Sequence, residues 1–74
     1  MTIKQRRMAL GLSVKQLAAV LGCHPTHVRN METDPAKVSY RAPSFGTLAW
    51  LDLIEFIPKD MARQWIARRL DKTP

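Results

Sequence analysis

The sequence predicts an all-α chain of five helices with a helix-turn-helix in its first half. Three observations carry that prediction. Apolar residues recur at spacings of three and four rather than two, the period of helices that bury one face. Thr2 stands three residues ahead of Gln5, and Ser13 three ahead of Gln16, the pattern of a capping box that satisfies the free amides of a helix N-terminus. Gly11 and Gly22 stand just past periodic runs, and Pro25, Pro35, Pro43 and Pro58 punctuate the rest.

Taken in order, the first helix starts at Thr2 or Ile3, has Ile3, Arg7 and Leu10 on its inner edge, and ends at Gly11. The second opens at the Ser13 cap and puts Leu17, Val20 and Leu21 on one face, with the small Ala18 leaving room for a close crossing. Gly22 suits a left-handed C-cap, and Pro25 is well placed in the next first turn, so about three residues join the two helices at a sharp angle. On the third helix residues fall about 100° apart. Val28 and Met31 set the inward direction, which turns Thr26, Asn30 and Thr33 outward, with His27 and Arg29 on the flanks and Glu32 at the far end. That outward set offers hydroxyl, amide and guanidinium groups and no carboxylate, the chemistry that pairs with base edges in a major groove.

The segment from Thr33 to Pro43 contains two prolines and no sustained period, so it reads as a loop, and one longer than most helix connections. Lys37, Tyr40 and Arg41 reach phosphates beside a groove, and Arg41 could enter a minor groove. Alternatively Tyr40 packs over the core edge; both roles are open to a tyrosine. Ser44 caps a fourth helix from Phe45 to Ile57 whose only charges are Asp52 and Glu55, leaving most of its circumference apolar. Trp50, Leu53, Phe56 and Ile57 then need a cover of their own. After Pro58 a fifth helix, Lys59 to Leu70, gathers Met61, Ala62, Trp65, Ile66 and Leu70 on one face with Arg63, Arg68 and Arg69 outside. It covers the fourth helix itself or shares it with a second subunit. Frayed chain is expected from Asp71 to Pro74.

The run Gly11-Leu12-Ser13-Val14-Lys15-Gln16-Leu17-Ala18-Ala19-Val20-Leu21-Gly22-Cys23, followed by Val28, Met31 and Glu32, resembles the Cro-type (XRE, lambda-repressor-like) DNA-binding family. The likeness covers roughly residues 3 to 57. The Leu-Ala pair, the turn glycine and the inward Val and Met fall at that family's spacing. The chain departs from it at Val14, where the family often has a phosphate-touching Gln, and at Pro25, where it usually has a polar side chain. Tyr40-Arg41-Ala42-Pro43 ahead of an apolar helix also resembles, over a short stretch, some small anti-CRISPR-associated repressors. The resemblance implies a five-helix lambda-repressor-like fold and a DNA-binding transcriptional regulator.

The formal charge is +6, and residues 1 to 41 hold seven basic side chains (Lys4, Arg6, Arg7, Lys15, Arg29, Lys37, Arg41) against two acidic (Glu32, Asp34). A polyanion suits such a face, although a basic surface also serves solubility alone. Seventy-four residues fit one domain, 1–74, with a small core that an oligomer would reinforce. One cysteine, Cys23, forms no intrachain disulfide, no apolar run reaches the about 18 residues of a membrane span, and the charged N-terminus lacks a signal-peptide pattern, so a cytoplasmic protein is expected.

Cys23, His24 and His27 are too few to complete a structural zinc set, and the six carboxylates are scattered, so neither metal, cofactor, small-molecule ligand nor catalysis is expected. Cys23 reads as a small apolar residue, the two histidines as phosphate or base-edge contacts. The candidate DNA contacts are Lys15, His24, Pro25, Thr26, His27, Arg29, Asn30 and Thr33 on the motif and Lys37, Tyr40 and Arg41 in the loop. The candidate dimer face is Trp50, Leu53, Phe56, Ile57, Trp65, Ile66 and Leu70. Together these predict a dimeric repressor on an inverted-repeat duplex, an autoregulator of a phage or mobile-element operon. The competing class is a helix-turn-helix adaptor or antitoxin that grips a protein, which would show aromatic or aliphatic anchors over residues 26 to 33.

Overall fold

The computed structural model describes residues 2–71. They form α1 (Ile3–Ala9), α2 (Val14–Leu21), α3 (Pro25–Glu32), α4 (Phe45–Phe56) and α5 (Lys59–Asp71), with no strand among the described residues. Both capping boxes are made. The Gln5 amide donates to Thr2 Oγ1 at 3.1 Å while the Thr2 amide donates to Gln5 Oε1 at 2.9 Å, and Ser13 and Gln16 repeat the pair at 3.1 and 2.9 Å. Gly22 caps α2 at φ 75°, a conformation that would strain any residue with a β-carbon. The chain then reverses at once, and the Cys23 amide closes the turn on the Ala18 carbonyl at 2.9 Å.

Two helix ends differ from the expected ones. α4 stops at Phe56, and Ile57 is its cap with ψ 159°, because the ring of Pro58 drives the preceding residue out of the helical region. α5 continues through Asp71, which the sequence placed in frayed chain; residues 72–74 lie outside the described residues.

Leu17 from α2, Val28 from α3 and Leu51 from α4 are fully buried and meet at the centre of the core. Ile3, Leu12, Ala18, Val20 and Ile66 complete it. Ala18 is 1% exposed, a position where a larger side chain would hold the crossing elements apart. α2 therefore packs on both α3 and α5, and fixes the orientation of α3.

Two arginines of α1 stitch the helices together. Arg7 Nε and Nη2 each donate to Glu32 at 3.0 Å, a bidentate pair with both side chains nearly buried, and Nη1 donates to the Leu12 carbonyl at 2.8 Å. Arg6 reaches Asp52 at 2.6 Å and Glu55 at 2.7 Å on α4. Hydrogen bonds to Glu55 first and Asp52 second push its guanidinium further up, so the charge persists at any accessible pH. Arg6 and Arg7 thus leave the cationic excess that the sequence assigned to a DNA-facing surface, because each is paired with carboxylates of other helices, Arg6 at the exposed surface of α4 and Arg7 with the nearly buried Glu32. The excess that remains comes from Lys4, Lys15, Arg29, Lys37 and Arg41, all exposed.

The expected dimer face is also corrected in part. Ile66 is buried in the core of the single chain, and Trp50 and Leu70 pack against that core, so these three are covered largely from within. The rings of Trp50 and Trp65 lie 5.6 Å apart at a tilt of 44°, and the Arg69 guanidinium sits 5.9 Å from the Trp65 centroid. Ile57 is half-buried. The large apolar side chains left to water are Met8, Val38, Phe45, Leu48, Leu53, Phe56, Met61 and Trp65; of these Leu53, Phe56 and Trp65 were expected in the dimer face, while Met61 was expected on the covered face of α5.

Candidate nucleic-acid interface

α3 turns Val28 and Met31 inward as its apolar spacing dictates, but its open side lies over the expected flanks, His27 and Arg29, and not over Asn30 and Thr33. Val28 is fully buried and Met31 half-buried, while Thr26, His27 and Arg29 are exposed. Asn30 and Thr33 lie at the margin, half-buried. Glu32, the one carboxylate of the helix, turns inward onto Arg7, so the exposed side carries only the positive charge of Arg29. Lys15 is exposed in the first turn of α2.

The start of α3 holds a feature that sequence spacing missed. His24 is the N-cap: its backbone is extended, and its Nδ1 accepts a hydrogen bond from the Thr26 amide at 3.1 Å. An imidazole nitrogen does the work more often given to a hydroxyl or carboxamide oxygen. The signal was present in Pro25, since the residue before a proline is driven to the extended conformation that an N-cap needs. Pro25 itself is the first helical residue, half-buried among Lys15, Gln16, Ala19, Cys23 and Leu70. Lacking a donor and partly covered, it shapes the helix start instead of offering a polar contact. Burial pushes the Cys23 thiol up, and the side chain packs half-buried against the core under the turn.

At the other end, the Thr33 hydroxyl donates to the Arg29 carbonyl at 2.8 Å. Its hydrogen is committed to the helix terminus, so what this candidate contact still offers outward is the lone pairs of its oxygen. The loop that follows is built of turns rather than open chain. Asp34 Oδ1 accepts from the Ala36 amide at 3.0 Å, the Lys37 amide donates to the Asp34 carbonyl at 2.9 Å, and the Tyr40 amide to the Lys37 carbonyl at 3.1 Å. The Arg41 amide then bonds the Asn30 carbonyl at 3.1 Å, tying the loop to the recognition surface. Arg41 Nη1 donates to the carbonyls of Val38 and Tyr40 at 2.9 and 2.8 Å, so this guanidinium closes its own loop where the sequence suggested a reach toward a minor groove. Tyr40 is half-buried and lines a surface groove with Ile3, Met31, Pro43 and Leu48, as a ring packed at the core edge does, and Lys37 is exposed.

Two consecutive helices, a glycine-capped turn and an outward face of hydroxyl, imidazole and guanidinium groups form one continuous motif. A helix-turn-helix family model matches residues 3–49, from α1 into the first turns of α4. The chain belongs to the Cro-type, lambda-repressor-like helix-turn-helix family. No curated protein and no solved structure matches it. Within this family the motif binds DNA, and the protein is a DNA-binding helix-turn-helix regulator. The match takes in Lys15, all of α3 and the loop, and stops before Trp50 and the exposed side chains of α4 and α5 that follow it. No described helix is long and apolar enough to cross a membrane.

Proposed function

We propose that this helix-turn-helix protein is a sequence-specific transcriptional repressor that occupies an inverted-repeat operator as a homodimer, acting as an autoregulator within a phage or mobile-element operon. The observation that carries the reading is the exposed face of α3. Thr26, His27 and Arg29 stand to solvent, Asn30 at their margin, and the only carboxylate of the helix is turned away. Thr26, His27, Arg29 and Asn30 read base edges, while Lys15 and Lys37 hold phosphates on either side.

One such helix reads only a few base pairs, too little to single out an operator among ~10⁶ competing sites. Two copies related by a two-fold axis enter successive major grooves about 34 Å apart. What supports the second copy is the exposed set Leu53, Phe56, Met61 and Trp65 around the junction of α4 and α5. The same set is the observation that favours an adaptor or antitoxin, with a foreign protein in place of the second copy. Selection of bound sites from random duplexes separates the two: recovery of a palindrome is expected for the repressor, and recovery of no consensus is the adaptor's result. With Thr26, Arg29 and Asn30 all changed to alanine, the profile should collapse; an unchanged profile removes α3 from the reading role.

A further inference from the structure

A threonine hydroxyl in a major groove is ambiguous, because it donates to guanine or thymine oxygens as readily as it accepts from adenine or cytosine amino groups. In this chain the ambiguity at Thr26 is removed by its neighbour. His24 Nδ1 lies 3.1 Å from the Thr26 amide and 3.0 Å from Thr26 Oγ1. A backbone amide is always the donor, so Nδ1 presents its lone pair and the imidazole proton sits on Nε2. With Nδ1 unprotonated, the bond to Oγ1 has one polarity left: the threonine hydroxyl gives its hydrogen to the imidazole. Only lone pairs then remain on Oγ1, and both residues are exposed at the N-terminal end of α3, the part of a recognition helix that meets base edges.

We propose that His24 is a positioning residue that makes Thr26 an obligate acceptor, so that the domain prefers an adenine or cytosine over a guanine or thymine on the strand nearest Thr26. The inference rests on the DNA-reading role of α3 and adds to it the polarity of one contact. The same ring nitrogen that caps the helix thereby sets a base preference, which couples the folding of α3 to what it reads.

Two measurements test it. Nitrogen-15 spectra of the imidazole of the free protein at mildly alkaline pH should show His24 with Nδ1 unprotonated and the proton on Nε2; a protonated Nδ1 in the neutral ring overturns the proposal without reference to DNA. In site selection, Thr26→Val should flatten one base position at which the wild type favours adenine or cytosine by about tenfold. His24→Ala should relax the same position toward guanine and thymine, while His24→Asn, whose carbonyl oxygen can accept both hydrogens, should restore the preference. A wild-type preference for guanine or thymine there, an unchanged profile in Thr26→Val, or a retained preference in His24→Ala each overturns it while leaving sequence-specific binding by α3 intact. A wild-type chain that selects no sequence fails the parent reading, and this one with it.

Discussion

On α3 the side chains left to water are Thr26, His27 and Arg29; on α4 they include Phe45, Leu53 and Phe56, the two aromatic rings 88% and 87% exposed. Both helices bury one face in the same core, through Val28 on one and Leu51 on the other. α3 ends its exposed side in groups that water or a polyanion satisfies equally. α4 exposes carbon, and its two carboxylates are already drawn onto Arg6. The outer side of α4 is thus nearly neutral and apolar, a surface that gains by being covered, whereas that of α3 gains by meeting phosphate and base. One fold carries two unlike surfaces because the core consumes only one side of each helix.

The largest expected effect breaks the shared side of the comparison. Val28→Asp places a carboxylate where no water reaches, at a cost of about 4 kcal/mol or more, comparable with the whole stability of a chain this size. Circular dichroism should show it unfolded at room temperature; a folded variant would mean that α3 is rotated. Next comes the pair that holds α3 to α1. Arg7→Met strands the nearly buried Glu32 and should lower stability by about 3 kcal/mol in urea unfolding, while adding Glu32→Leu should recover most of it. A loss below about 1 kcal/mol would class the pair with exposed ion pairs.

The third test sharpens the contrast between the outer sides. Phe56→Glu should leave the melting of the chain nearly unchanged, yet weaken operator binding about tenfold or more and halve the mass by sedimentation equilibrium, whereas Ile66→Glu should unfold it. A wild type that sediments as a monomer would assign the exposed rings to another partner. The smallest effect belongs to Lys37→Ala. It should weaken binding to all duplexes alike and reduce the slope of log K against log salt by about one, with the base profile unchanged. A change in the profile would move Lys37 from phosphate to base.

The caps and the core were legible because their causes are local. Thr2 with Gln5 and Ser13 with Gln16 close within one turn, Gly22 needs no partner to adopt its φ, and the period of Val28 and Met31 turns α3 wherever the core lies. The same period turned a polar side outward, though His27 and Arg29 are exposed where Asn30 and Thr33 were expected. The sequence by itself also determined the basic balance and the family, since motif residues at fixed spacing carry both. Tertiary structure alone decided which charges and apolar groups remain outside. Arg6 and Glu55 are 49 residues apart and Arg7 and Glu32 are 25, so nothing local shows that they neutralise each other. Ile66 is no more apolar than Leu53, yet one is buried and the other 56% exposed, because Ile66 faces the core that α5 packs on while Leu53 lies on the side of α4 turned away from it. His24 was legible as a candidate contact but not as a cap, since its role depends on where one ring nitrogen points. Spacing along the chain fixes what each helix offers, and only packing fixes which of those offers stay open to a partner.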